Sequence, residues 1–358
     1  MIEMSRFLNG RYENLVPYVP GEQLQVAGLI KLNTNESPYP PSPKVIEAIS
    51  SFETGRLNRY PDPEARELIK AAAGFFNIRE DRIMAGNGSD ELLAFSFMIF
   101  QGQNRKVYFA DISYGFYKVY AEVYGALPQL IPLNDDLMIN PADYHNLDGM
   151  IVIANPNAQT GAAVAPSDIE KILAANKNSI VLVDEAYVNF GAESSLPLIE
   201  KYDNLLIIQT FSKDRNLAGA RIGLAFARED VIADLKKAKY SFNPYNLNRL
   251  SILAGAASIG DRDHYESCTG KIKKAREKFV KRMEELGFQV VPSLANFILA
   301  RHDKMPGYDY YKALKEKNIL VRHINDKRIA GYVRITIGGD DEMEALIGAT
   351  KEILGLEG

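Results

Sequence analysis

A lysine that follows a buried strand and enters a loop of small and polar residues is placed to act as a nucleophilic amine. Lys213 stands this way: apolar Leu205-Leu206-Ile207-Ile208 leads into Thr210-Phe211-Ser212-Lys213-Asp214-Arg215-Asn216-Leu217-Ala218-Gly219-Ala220-Arg221-Ile222-Gly223. An ammonium partly withdrawn from water gives up its proton more readily, and the free amine can form a Schiff base with an aldehyde. A surface lysine has the same local look, so its neighbours matter. Asn155-Pro156-Asn157-Ala158-Gln159-Thr160-Gly161 follows the run Met150 to Ala154, and Val183-Asp184-Glu185-Ala186-Tyr187 closes the next run. Crevices of open α/β sheets lie beyond the carboxyl ends of strands, where Asn157, Asp184, Tyr187 and Lys213 would converge. Taken singly, Asn157 also reads as a turn former, Asp184 as a helix cap and Tyr187 as a core residue.

Gly86-Asn87-Gly88-Ser89-Asp90-Glu91 lies between a short strand and a helix over Leu92 to Phe100. Free amides at such a helix start, together with glycine backbone, can cradle a phosphate. The segment lacks the third glycine of a dinucleotide fingerprint, and by itself it equally reads as a turn with Ser89 or Asp90 as N-cap. A lysine for an aldehyde, a carboxylate for a pyridine nitrogen, an amide and a phenol for a phenolate oxygen and a phosphate cradle together suit pyridoxal 5'-phosphate (PLP).

The elements that must position these groups follow from periodicity. Apolar runs at Ile83 to Ala85, Lys106 to Phe109, Gly149 to Ala154, Ser179 to Val183, Leu205 to Gln209 and Ile222 to Phe226 predict strands covered on both faces. Helical stretches between them supply crossovers, so the fold class is α/β with a mainly parallel sheet. Pro43 to Phe52 and Pro63 to Phe76 predict helices, the second with Asp62 as N-cap and Pro63 at the first position. Proline-punctuated residues 1–42 read as an irregular arm, 43–250 as a large domain, and 251–358 as a smaller α+β domain that includes a long helix from Arg262 to Leu286.

Of the 358 residues, 46% are hydrophobic and 25% charged, as in an ordinary globular chain. A net charge of -4 and pI near 5.8 give no footprint for nucleic acid or an anionic membrane. The lone Cys268 excludes an internal disulfide, and the four histidines have no metal-ligand spacing, so no metal is expected. No apolar run is long enough to span a bilayer, and the N-terminal residues lack a signal-peptide core, so a cytoplasmic protein is expected.

In order, the chain carries Tyr18-Val19-Pro20-Gly21-Glu22, Lys31-Leu32-Asn33-Thr34-Asn35-Glu36-Ser37-Pro38-Tyr39, Arg59-Tyr60-Pro61-Asp62, Gly88-Ser89-Asp90-Glu91, Asn155-Pro156-Asn157, Asp184-Glu185-Ala186-Tyr187, Ser212-Lys213, Leu217-Ala218-Gly219-Ala220-Arg221-Ile222-Gly223 and Tyr332-Val333-Arg334-Ile335-Thr336. Over residues 17–350 this set resembles the class I/II aminotransferases of fold type I, and among them the histidinol-phosphate aminotransferases. The resemblance implies a seven-stranded, mainly parallel sheet between helices, PLP as cofactor and a ping-pong transfer of an amino group from histidinol phosphate to 2-oxoglutarate in histidine biosynthesis.

It implies further that Lys213 holds PLP as a Schiff base and moves the substrate α-proton, while Asp184 pairs with the ring nitrogen. Asn157 and Tyr187 would bond the phenolate oxygen, and Tyr114 would stack on the ring. Backbone amides of Ser89 and Asp90, the hydroxyls of Thr210 and Ser212, and Arg221 would hold the phosphate, joined by Tyr60 from the other subunit of a homodimer. Arg334 would bind a substrate carboxylate, Arg322 a second anionic group, and Tyr18 and Asn35 would line the same pocket.

Gln159 stands where the family often has proline, and His323 and the polar Asp214-Arg215-Asn216 also depart from its pattern, with specificity the property at stake. A threonine-phosphate decarboxylase, an aromatic or broad-range aminotransferase and a non-catalytic PLP-binding regulator share much of the pattern; the arm before residue 43 lacks the helices and basic charge of a DNA-binding domain.

Overall fold

The computed structural model describes residues 5–356. Its strands are β1 (Ile30–Lys31), β2 (Ile83–Asn87), β3 (Lys106–Ala110), β4 (Leu127–Ile131), β5 (Gly149–Ala154), β6 (Val181–Asp184), β7 (Leu205–Thr210), β8 (Ile222–Ala227), β9 (Phe288–Val290), β10 (Phe297–His302), β11 (Ile319–Leu320), β12 (Arg322–His323) and β13 (Tyr332–Thr336). The helices are α1 (Pro43–Ser50), α2 (Arg66–Phe76), α3 (Gly88–Ser96), α4 (Phe116–Tyr124), α5 (Pro166–Ala175), α6 (Glu229–Phe242), α7 (Arg249–Ile259), α8 (Arg262–Glu285), α9 (Gly307–Glu316) and α10 (Asp340–Leu354).

Seven strands form the large sheet in the order β2-β8-β7-β6-β5-β3-β4. All neighbours are parallel except β8, which runs antiparallel to both β2 and β7. Every residue of β5, β7 and β8 is buried, which explains their unbroken apolar runs. Alternate residues serve opposite faces: Ile151, Ile153, Val181, Val183, Leu205 and Ile207 pack toward α2, α5 and α7, whereas Met150, Val152, Leu182, Leu206 and Ile208 pack toward α3, α4 and α6. The smaller sheet, β12-β13-β10-β9, is antiparallel and is covered by α8, α9 and α10. The arm joins it through the parallel pair β1–β11.

Four boundaries differ from the expectations. The second helix begins at Arg66 rather than Pro63, because Ala65 turns left-handed at φ 49° and the Asp62 carboxylate accepts from the amides of Glu64 and Arg66. Asp62 therefore caps a turn that precedes the helix. The helix expected over Leu92 to Phe100 begins at Gly88, and its end opens into a wider π-helical turn over Phe97–Gln101. The seventh strand, β4, escaped the sequence because it is an exposed edge carrying Pro128, without the apolar run of a central strand. Finally, α7 packs against α1 and α2, and Ile252, Ala254 and Ile259 join their core. By these contacts α7 lies with helices that precede the expected division at 250/251.

Arg276 in α8 ties the two parts together. Buried, it donates from Nη1 to the carbonyls of Phe190, just after β6, at 2.8 Å and Ala295, just before β10, at 2.6 Å. An Arg276→Met variant keeps the aliphatic packing and strands both carbonyls, and each buried unsatisfied group costs about 1–3 kcal/mol. Urea unfolding should show a stability loss of about 2–6 kcal/mol; an unchanged midpoint would mean that the two carbonyls are bonded by water.

Candidate active site

Because β5, β6 and β7 are parallel and in register, with Ala154 beside Asp184 and Asp184 beside Ile208, their carboxyl ends open on one side of the sheet. A cavity of about 420 Å³ lies there, between that edge, the arm and β12–β13. Tyr18, Asn35, Ser89, Asp90, Tyr114, Asp184, Tyr187, Thr210, Ser212, Lys213, Arg221, Arg322 and Arg334 all line it. Asn157 and Tyr60 do not.

Lys213 is half-buried, and its Nζ donates to the Thr34 carbonyl at 3.0 Å. Burial, and then the positive charge of Arg334, pull its pKa down to about 8, against an opposing pull from Glu36. The amine is thus placed and tuned for attack on a carbonyl carbon.

Asp184 at the end of β6 is buried, and its carboxylate accepts from Tyr117 Oη at 2.7 Å and the Ala186 amide at 3.2 Å. Burial dominates these two bonds and pushes the carboxyl up to about 6. A carboxylate held under a cavity without a cationic partner suits a protonated ring nitrogen. Tyr187 Oη accepts from Asn35 Nδ2 at 3.0 Å, which leaves the phenolic proton free for an acceptor in the cavity. Asn157 is set back: its amide donates to the Ile112 carbonyl at 2.8 Å, and its oxygen accepts from the amides of Gln159 and Thr160. It is the former of this turn, and one amide hydrogen remains for the site.

The phosphate end is built by close approach. A Cβ on Gly223 would come within 2.6 Å of the Gly88 carbonyl carbon, so β8 presses on the start of α3, whose first amides have no helical acceptor. A Cβ on Gly88 would lie 2.6 Å from Arg221 Nη2. Arg221 holds a left-handed backbone at φ 51° and donates to Asp90 at 3.0 Å and, more distantly, to Ser212 Oγ at 3.4 Å. Thr210 Oγ1 donates to Ser212 Oγ at 3.0 Å. Asp90 also accepts from Tyr114 Oη at 2.7 Å, so one carboxylate fixes both the ring-facing phenol and the anion-binding arginine. Amine, buried carboxylate, aromatic platform and anion cradle are those that PLP requires.

Arg334 reaches back from β13, where its guanidinium donates to the carbonyls of Ala158 and Asn33 and to Gln159 Oε1. Arg322 donates to the carbonyls of Val19 and Pro20, tying the arm down beside Tyr18, whose ring stacks on Phe116 at 4.4 Å. Tyr60 is 75% exposed and stacks on Tyr245 at 4.3 Å. Arg215 points away from the substrate side, contrary to expectation: its buried guanidinium lies 3.8 Å from the Tyr265 ring centroid and donates to the Ser258 carbonyl. His323 lies beside Arg322 in an adjoining groove, its ring bonded to the Ala330 carbonyl.

Three functional contacts had no signal that the sequence reading used. They are Tyr117 on Asp184, the Asp90 side chain on Tyr114 and Arg221, and the Thr34 carbonyl on Lys213.

The cofactor-free protein offers a direct check on Lys213. Its amine is protonated and unreactive below its pKa and free above it, so trapping with a small aldehyde and borohydride should rise with pH with a midpoint of about 8. An ordinary lysine titrates near about 10.4. Arg334→Ala should move the midpoint upward by removing a neighbouring positive charge; a wild-type midpoint near 10 would place the amine in water.

The family model described as aminotransferase class I and II matches residues 27–349. The chain is 49% identical over 353 residues to histidinol-phosphate aminotransferase of a Marinomonas species, covering 98% of this chain and 100% of that protein. It is 46% identical over 352 residues to the enzyme of the same name from Brachyspira hyodysenteriae, covering 98% and 99%. Among solved structures, histidinol-phosphate aminotransferase from Sinorhizobium meliloti in complex with pyridoxal-5'-phosphate superposes with TM-score 0.86 at 23% identity, over 99% of this chain and 100% of that one. L-threonine-O-3-phosphate decarboxylase from Porphyromonas gingivalis gives 0.78 at 22%, over 91% and 100%, a likeness of fold. With a matching family model over most of its length and near-full-length relatives at almost half identity, the chain belongs to the class I and II aminotransferases.

Proposed function

We propose that this aminotransferase moves the amino group of histidinol phosphate to 2-oxoglutarate, with PLP as cofactor, in cytoplasmic histidine biosynthesis. The observation that carries the reading is the pairing of one half-buried lysine with two arginines, Arg322 and Arg334, on the lining of a single cavity. Histidinol phosphate brings a phosphate and no carboxylate, whereas glutamate, formed in the second half of the cycle, brings two carboxylates. Two cationic sites serve both in turn.

PLP supplies an electron sink that stabilises negative charge at the substrate α-carbon. The chain does the rest. Lys213 Nζ would take the α-proton of a substrate held there, a role suited to an amine with a pKa of about 8. Tyr117 and the Ala186 amide hold the Asp184 carboxylate, which would pair with the ring nitrogen, and the phenolic proton of Tyr187, with Asn157 behind it, would serve the phenolate oxygen. Tyr114 covers the ring. The amides of Ser89 and Asp90, the hydroxyls of Thr210 and Ser212 and the Arg221 guanidinium hold the phosphate. Tyr18 and Asn35 close the substrate side, Arg334 takes the α-carboxylate of glutamate, and Arg322 takes the second anion. Tyr60, exposed on this chain, completes the phosphate site of a partner subunit in a homodimer.

The test is a mixture of PLP-loaded protein, histidinol phosphate and 2-oxoglutarate. Glutamate should accumulate without release of carbon dioxide, and adding histidinol phosphate alone should convert the bound-cofactor absorbance in one turnover. Carbon dioxide from threonine phosphate, without glutamate, would instead make it a decarboxylase. Lys213→Ala removes the proton-transfer group and should slow turnover by about 10²–10⁴-fold, with folding unchanged by circular dichroism.

A further inference from the structure

Gln159 occupies an unusual place for a turn residue, because its side chain lines the cavity and touches Arg334. Its Oε1 accepts from Arg334 Nη1 at 3.0 Å, and its Nε2 donates to the Ser113 carbonyl at 3.2 Å. The orientation of the amide is forced, since a guanidinium only donates and a carbonyl only accepts. The backbone amide of Gln159 is anchored as well, to Asn157 Oδ1 at 2.9 Å.

These contacts divide the donors of Arg334. Nη1 gives one hydrogen to Gln159 Oε1 and the other to the Ala158 carbonyl at 2.8 Å. Nη2 gives one to the Asn33 carbonyl at 3.2 Å, and Nε, although buried, has no partner. Five donors minus three leaves Nε–H and one Nη2–H. With both Nη1 hydrogens used, the end-on fork between Nη1 and Nη2 is closed, and the side-on fork across Nε and Nη2 is the one left to the guanidinium. A carboxylate matches such a fork with two parallel bonds.

We propose that Gln159 is a positioning residue for carboxylate specificity: by occupying Arg334 Nη1 and anchoring to Ser113, it presents the Nε/Nη2 edge to the α-carboxylate of the amino-acid substrate. The proposal rests on the reading of Arg334 as the carboxylate site. A neutral amide does this work without cancelling the charge of the arginine.

Glutarate, a dicarboxylate without an amine, is the probe, titrated calorimetrically into PLP-loaded protein. Gln159→Leu, similar in bulk and without polar atoms, should weaken glutarate about tenfold, the value of one hydrogen bond to a charged group. Gln159→Glu keeps the acceptor but adds a negative charge beside Arg334, and it should weaken glutarate further. Both variants should keep the wild-type PLP affinity and absorbance. Unchanged glutarate affinity in Gln159→Leu, or PLP binding that falls in step with glutarate, would overturn the proposal; the second would reduce Gln159 to a prop for the turn. Wild-type protein that binds no glutarate would overturn it together with the role of Arg334. Wild-type protein that binds glutarate yet takes no amine from histidinol phosphate would refute the proposed substrate alone, with the glutarate comparison still deciding Gln159.

Discussion

A buried carboxylate without a cation is the constraint around which the structure is arranged. Asp184 has lost its water and receives two hydrogen bonds, and its pKa still rises from 3.8 to about 6. The anion is thus disfavoured by about 3 kcal/mol at neutral pH. The sign follows from linkage: a carboxyl whose pKa is raised by folding destabilises the fold fully above about pH 6, and the cost vanishes as the carboxyl protonates toward pH 4. A cationic ring nitrogen placed against Asp184 removes that cost, so binding and stability are coupled through one atom pair. Tyr117 matters because it keeps the carboxylate aimed without neutralising it.

The second requirement is that the opposite wall be movable in composition while the sheet edge stays fixed. The sheet edge contributes Asp184 and Thr210 from the ends of adjacent strands and Lys213 from the loop that follows β7. The arm contributes carbonyls and amides instead: Thr34 receives the lysine ammonium, Asn35 bonds Tyr187 and Thr336, and Asn33 receives Arg334. Asn35 has a left-handed backbone at φ 56°, a conformation asparagine tolerates better than most residues, and this turns the arm into the site. The pair β1–β11 fastens the arm to the small sheet, so the site is assembled from three parts of the chain.

What the sequence disclosed follows from the same division. The central strands were legible because full burial on two faces writes an unbroken apolar run, and the residues at their ends inherited positions from that run. Lys213, Asp184 and Tyr187 were therefore readable one strand at a time. Edge strand β4 was not, since four of its five residues are exposed and Pro128 weakens the signal. The helix α7 was assigned across a domain boundary because its residues are apolar nearly all round, which says that it is buried but not against what. Asn157 shows the limit most clearly: it follows β5, yet it does not line the cavity, and its hydrogen bonds go largely to the turn that it forms. Contacts such as Tyr117 to Asp184 span 67 residues and leave no local pattern to read.

The partners of the cavity's arginines follow the lifetimes of the anions they meet. Arg221, at the phosphate end, is held by the Asp90 carboxylate at 3.0 Å, a half-exposed pair in which solvent screens much of the attraction. A resident dianion can share an arginine with an acidic neighbour, because its own charge and the helix amides keep it in place. On the proposed reading Arg334 would meet a carboxylate that arrives and leaves in each cycle, and its acceptors are all neutral: two carbonyls and one side-chain amide oxygen. Burial pulls its pKa below the ordinary value, yet a guanidinium retains its charge even so. An acidic partner would spend that charge before substrate came, whereas neutral acceptors fix the geometry and leave the field intact. In a chain with net charge -4, affinity for anions has to be built locally, and it is the neutrality of these acceptors that builds it.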